Sequence, residues 1–67
     1  MNNTIVEITT SGQQYTLPGT AWTAAQIVNT YATSVPGIGA MKVAQSTNDN
    51  GDNVFVFRPE TGGKGLK

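Results

Sequence analysis

Between Trp22 and Gly37 the apolar residues recur at helical spacing. Ala24, Ile27, Val28, Tyr31, Ala32 and Val35 fall on one face of an α-helix, while Gln26, Asn29, Thr30, Thr33 and Ser34 fall elsewhere and are polar. The start is marked by Thr23 and Gln26 in the T-x-x-Q arrangement of a capping box. In that arrangement the Thr hydroxyl accepts from the Gln26 N–H and the Gln26 side chain accepts from the Thr23 N–H. Trp22 and Ile27 flank the cap as a hydrophobic staple. Pro36 disfavours helical geometry at Val35 and Gly37 lets the chain turn out, so the pattern predicts a helix that runs on to about residue 35. One amphipathic helix of this kind needs an apolar surface to cover.

The rest of the chain supplies that surface as short alternating runs. Residues 4–9 read as a strand, with Val6 and Ile8 on one face and Ile5 and Glu7 on the other. Residues 10–13 turn, and residues 14–17 return with Tyr15 and Leu17 inward, completing a hairpin. A third strand is expected over residues 40–46, with Met41 and Val43 facing one way and Lys42 and Ala44 the other. The polar loop of residues 48–53 contains Asn50-Gly51, a strong hairpin turn signal. In the last run, Val54-Phe55-Val56-Phe57, alternation fails because both faces are apolar. A strand apolar on both faces is usually central in its sheet. Its core side is left open between the Val54/Val56 pair and the Phe55/Phe57 pair.

Two antiparallel hairpins with the fourth strand at the centre are joined most simply by placing it parallel to the first. The spatial order is then 2-1-4-3, with a right-handed crossover carrying the helix over one face. The expected fold class is therefore α+β: the β-grasp arrangement, a four-stranded mixed sheet with one helix packed across it. The expected core is the helix stripe against Val6, Ile8, Tyr15, Leu17, Val43 and one side of the last strand. Each full burial of such a side chain is worth roughly 1.5–3 kcal/mol. Pro59 ends the sheet because it cannot donate to a ladder. Residues 1–60 form the expected domain, and residues 61–67, rich in glycine, the expected mobile tail.

Composition narrows the chemistry. The chain has 67 residues, near the lower limit for independent folding, and no cysteine or histidine. Disulfides, thiolate or imidazole metal sites and Cys–His or Ser–His catalytic pairs are therefore excluded. The four basic residues (Lys42, Arg58, Lys64, Lys67) balance the four acidic ones (Glu7, Asp49, Asp52, Glu60), so there is no electrostatic footprint for nucleic acid or an anionic membrane. Neither a signal peptide nor an apolar run of about 20 residues is present, so a cytoplasmic location is expected.

Candidate motifs thin out on inspection. Gly62-Gly63-Lys64-Gly65 resembles a phosphate loop, but Arg58 stands where the first glycine belongs and Gly65 where Ser or Thr belongs. A calcium loop begun at Asp49 brings Glu60 to its last position, but puts Gly51 at a ligand position and Val54 at the required glycine. A solvated hairpin turn is the better reading. Glu7 and Glu60 do not make an acid–base pair, since one is an exposed strand residue and the other lies at the tail. Trp22 and Tyr31 read as staple and core rather than as a ligand-stacking pair. No catalytic residue, cofactor or metal is expected. The outer strands carry few protective charges apart from Lys42, so the expected state is a monomer or a weak edge-paired dimer.

Leu17-Pro18-Gly19 at the end of a hairpin, Ile27-Val28-x-x-Tyr31-Ala32 in the helix, Val35-Pro36 after it, and Val54-Phe55-Val56-Phe57-Arg58 before Thr61-Gly62-Gly63-Lys64-Gly65 form an ordered set. In this order the chain resembles the small single-domain prokaryotic ubiquitin-like proteins, a family that includes protein C of the PRTRC plasmid system. The resemblance spans about residues 12–65 and its motifs are short. It implies a non-enzymatic β-grasp protein of a bacterium or mobile element. The implied partner is a protein, such as an activating enzyme or a JAB-type protease. By the same resemblance, Gly62 and Gly63 match a diglycine tail, and Arg58, Lys64 and Gly65 complete the partner-binding segment. Residues 64–67 lie beyond Gly63, so conjugation there requires prior cleavage. The rival readings are a phage or plasmid accessory protein that binds or inhibits a host protein, and a weak nucleic-acid-binding module using Arg58, Lys64 and Lys67.

Overall fold

The computed structural model describes residues 2–59. The elements are β1 (Asn3–Ile8), β2 (Gln13–Pro18), α1 (Ala24–Tyr31), a short 3-10 turn (Ile38–Ala40), β3 (Lys42–Thr47) and β4 (Asn53–Arg58). The strands form one mixed sheet in the order β2-β1-β4-β3. β1 pairs antiparallel with β2 and parallel with β4, and β3 pairs antiparallel with β4. This is the ubiquitin-like β-grasp arrangement, with the last strand beside the first at the centre.

The parallel pair sets the core. Val6 lies opposite Phe55 and Ile8 opposite Phe57, so both phenylalanines share the face of Val6 and Ile8. All four are buried together with Ile27 from α1, which places the helix on that face. The side of β4 that alternation left open is thereby decided: the larger pair faces the helix, and Val54 and Val56 face away. Burying the larger pair removes more apolar area from water at the same backbone cost. Past the strand ends, the Thr9 N–H and hydroxyl both donate to the Phe57 carbonyl, at 3.1 and 3.0 Å, continuing the tie between β1 and β4.

The capping box forms as its residues predict. The Gln26 N–H donates to Thr23 Oγ1 at 3.2 Å and the Thr23 N–H to Gln26 Oε1 at 3.0 Å. The far end differs from the expectation. The helix stops at Tyr31, four residues before Val35, and residues 32–35 continue as a turn closed by the Val35 N–H donating to the Tyr31 carbonyl at 2.7 Å. Thr33 and Ser34 are weak helix formers whose side chains compete for backbone groups, and Pro36 bars helical geometry at Val35. Ala32, counted in the stripe, is exposed; Val35 is buried.

The chain next turns at Gly37, whose φ of 85° lies in the left-handed region that glycine adopts without a Cβ clash. The 3-10 turn follows where a strand start was expected, and β3 begins at Lys42 rather than residue 40. This turn buries Ile38 to 2 % exposure, a core residue that strand alternation did not identify. In exchange, Val43 is 41 % exposed and is not a core residue. With only eight residues, α1 covers the centre of the sheet and leaves all of β3 exposed. Tyr15 and Leu17 of β2 are half-buried against the core, and the Tyr15 and Tyr31 rings stack with centroids 4.6 Å apart.

Two loops are pinned by side chains. The carbonyls of Pro18, Gly19 and Thr20 accept from the Trp22 indole (2.9 Å), the Thr4 hydroxyl (2.7 Å) and the Asn53 amide (2.8 Å). Thr4 is fully buried, so its hydroxyl needs that partner. At the β3–β4 turn, Asn48 Oδ1 accepts from the N–H groups of Asn50 and Asp52, both at 3.0 Å. Asp52 Oδ1 accepts from the Asn3 N–H at 2.8 Å, and the Asn2 amide donates to the Gly51 carbonyl. The polar turn is thus a hydrogen-bonded hairpin turn fastened to the start of β1.

Candidate functional site

The sheet face away from the helix is built by alternation and register. β1 contributes Ile5 and Glu7, β4 contributes Val54, Val56 and Arg58, β2 contributes Gln14 and Thr16, and β3 contributes Lys42, Ala44 and Ser46. One row across the sheet reads Thr16, Ile5, Val54, Ser46 and the next Gln14, Glu7, Val56, Ala44. Ile5, Val54 and Val56 are partly exposed, and Ala44 beside Val56 is exposed. These four make an apolar strip bordered by polar residues. Glu7 flanks it on β1, and Lys42 and Arg58 face each other across β3 and β4 at one end. The face therefore has an apolar centre with a carboxylate on one side and two cations at the end. Small apolar side chains with charged borders suit contact with another protein, where the centre is desolvated and the rim sets orientation.

Of the residues singled out from sequence, Arg58 is the last residue of β4, exposed, at the charged end of this face. Gly62, Gly63, Lys64 and Gly65 lie outside the described residues. The face also contains what sequence reading left undecided. Phe55 and Phe57 are 2 % and 1 % exposed and add nothing to this face; Val54 and Val56 line it instead. Ile5 belongs to it because β1 and β4 run parallel in the register that sets Ile5 beside Val54, which the separate alternation of each strand does not reveal.

A shallow cleft of about 310 Å³ lies beside the β2–α1 loop, lined by Pro18, Gly19, Thr20, Ala21, Trp22 and Gln26. The Trp22 N–H is engaged by the Pro18 carbonyl, and the Gln26 side-chain oxygen by the capping box. These two groups are thus already paired within the chain. Trp22 and Tyr31 do not form a stacking pair, since Tyr31 stacks on Tyr15. Burial first, and the neighbouring Tyr15 second, raise the Tyr31 hydroxyl above its ordinary pKa of 10.0.

Among the described residues no three acidic side chains converge as a metal site, and no helix is long and apolar enough to cross a membrane. No protein-family model, curated protein or solved structure matches the chain.

Proposed function

We propose that this chain is a non-enzymatic ubiquitin-like protein-binding module of a bacterium or mobile element. It binds its protein partner through the open sheet face. The observation that carries this reading is the apolar strip of Ile5, Val54, Val56 and Ala44, set on the side of the sheet that the helix leaves uncovered. Association would desolvate the strip, and Glu7, Lys42 and Arg58 would orient the partner. A sharper form of the proposal makes the chain a modifier precursor, joined to targets through Gly63 after removal of residues 64–67. An activating enzyme or a JAB-type protease would then be its partner. The accessory-protein reading uses the same face for a host protein.

The test compares the wild-type chain with Val56→Asp as bait in its native host. Val56 is on the open face, so a folded variant should lose the proteins that the wild type retains. Identical captured sets, with both baits folded by circular dichroism, would remove the open face from the proposal. For the modifier form, intact-mass analysis of the chain from its host should find termini at Gly63 or isopeptide adducts. Finding only chains that end at Lys67 would remove that form and leave the binding module.

A further inference from the structure

We propose that β3 is a self-association edge, through which two copies of this chain pair β3 against β3, antiparallel about a twofold axis normal to the sheet. This goes beyond the open-face reading and does not depend on it.

The two edges of the sheet differ. Along β3 all six residues are exposed, and alternate residues direct their N–H and C=O groups away from β4, as an antiparallel ladder requires. The strand contains no proline, and its one charge, Lys42, is at its start. Among the described residues no side chain bonds to the β3 backbone, whereas β2 ends in Pro18 with its carbonyl taken by the Trp22 indole. Natural sheets blunt their edges with charge, proline or a covering segment, and β3 carries the least of these.

Symmetry makes a second copy a suitable occupant. The outward backbone groups belong to residues of one parity, so a twofold pairing must set residues of equal parity opposite one another. Two central registers meet this condition. With Ala44 on the axis, Lys42 faces Ser46 and Val43 faces Gln45 of the second copy. With Gln45 on the axis, Val43 faces Thr47, Ala44 faces Ser46 and Lys42 faces Asn48. Neither register opposes like charges, and a chain of net charge zero does not repel its copy at long range. In both registers helix-side residues meet helix-side residues: Val43 faces Gln45 in the first, where Thr47 faces Met41, and Val43 faces Thr47 in the second, so Val43, 41 % exposed in the single chain, gains cover. An axis normal to the sheet also keeps both helices on one side, and the two open faces continue into each other as a closed, isologous pair.

The test is sedimentation velocity on the full chain from micromolar to millimolar concentration, with the variants Gln45→Lys on β3 and Gln14→Lys on β2. The wild type should shift reversibly from monomer to dimer. Lysines at position 45 face each other in one register and lie on the diagonal, about 7–8 Å apart, in the other. Gln45→Lys should therefore raise the dissociation constant by at least about tenfold, while Gln14→Lys leaves it unchanged. Amide exchange should show alternate β3 N–H groups slowing as concentration rises. A monomer throughout that range would overturn the proposal. So would a dimer that Gln14→Lys weakens and Gln45→Lys does not, or one without concentration-dependent protection in β3. Gln45 lies on the helix side, so loss of the dimer in Gln45→Lys also separates this edge from association through the open face.

Discussion

Phe55 and Val56 are adjacent on β4 and point to opposite faces, so truncating each to alanine measures which face is the core. Phe55 is 2 % exposed, lies opposite Val6 and belongs to the buried cluster with Ile8, Ile27, Val35, Ile38 and Phe57. Phe55→Ala leaves a void beneath α1, a change that costs about 3–5 kcal/mol in well-packed cores. The whole domain is expected to hold only about 3–10 kcal/mol, from roughly 0.05–0.15 kcal/mol per residue. The variant should therefore lose from about a third to all of its stability at 25 °C. Val56→Ala removes two methyl groups from a side chain already partly in water, so its loss should stay below about 1.6 kcal/mol, two methylenes at roughly 0.8 each. Urea titration followed by far-ultraviolet circular dichroism reads the difference. With m near 1 kcal/mol/M for a small domain, Phe55→Ala should lower the midpoint by about 3–5 M, or abolish the transition, against less than about 1.6 M for Val56→Ala. Phe55→Leu keeps the comparison measurable if Phe55→Ala does not fold. Equal losses for the two alanine variants, or a larger one at Val56, would refute the assignment of the helix to the Phe55 face.

Three further outcomes follow from named contacts. Thr23→Ala removes the oxygen that accepts from the Gln26 N–H and should cost about 1 kcal/mol in the same titration, with Thr23→Ser restoring most of it. Gly51→Ala forces a Cβ into a φ of 85° and against the Asn2 side chain; it should cost at least about 1–2 kcal/mol, and Asn2→Ala in the same chain should relieve the steric part. Tyr31 has a raised pKa, so above pH 10 the unfolded chain gives up this proton before the folded one does. Stability should consequently be unaffected by this group below that pH and fall as pH rises from there toward the folded value. Thermal melts between neutral and strongly basic pH should show a steeper alkaline fall in the wild type than in Tyr31→Phe.

Local patterns in the chain account for much of the architecture. The capping box at Thr23 and Gln26, the Asn50-Gly51 turn and the inward pair Val6 and Ile8 are decided by chemistry among near neighbours. A T-x-x-Q pair satisfies its own backbone groups, an Asn-Gly turn supplies its own φ, and alternation sorts a one-sided strand. The two-faced apolar run of residues 54–57 marks β4 as a central strand, where neighbours on both sides flank its outward Val54 and Val56 even though the helix leaves that face uncovered. Other properties required the assembled sheet. Which pair of β4 faces α1 depends on the register with β1, set by contacts about 49 residues apart in sequence. The exposure of Val43 and the burial of Ile38 follow from a helix that ends at Tyr31 and so covers only the middle of the sheet. Ile5 joins Val54 and Val56 as one surface only when the first and last strands lie side by side. Periodicity reports what a residue can bury within its own element; which surface meets it is decided by the other elements, and the candidate site is made from that second kind of information.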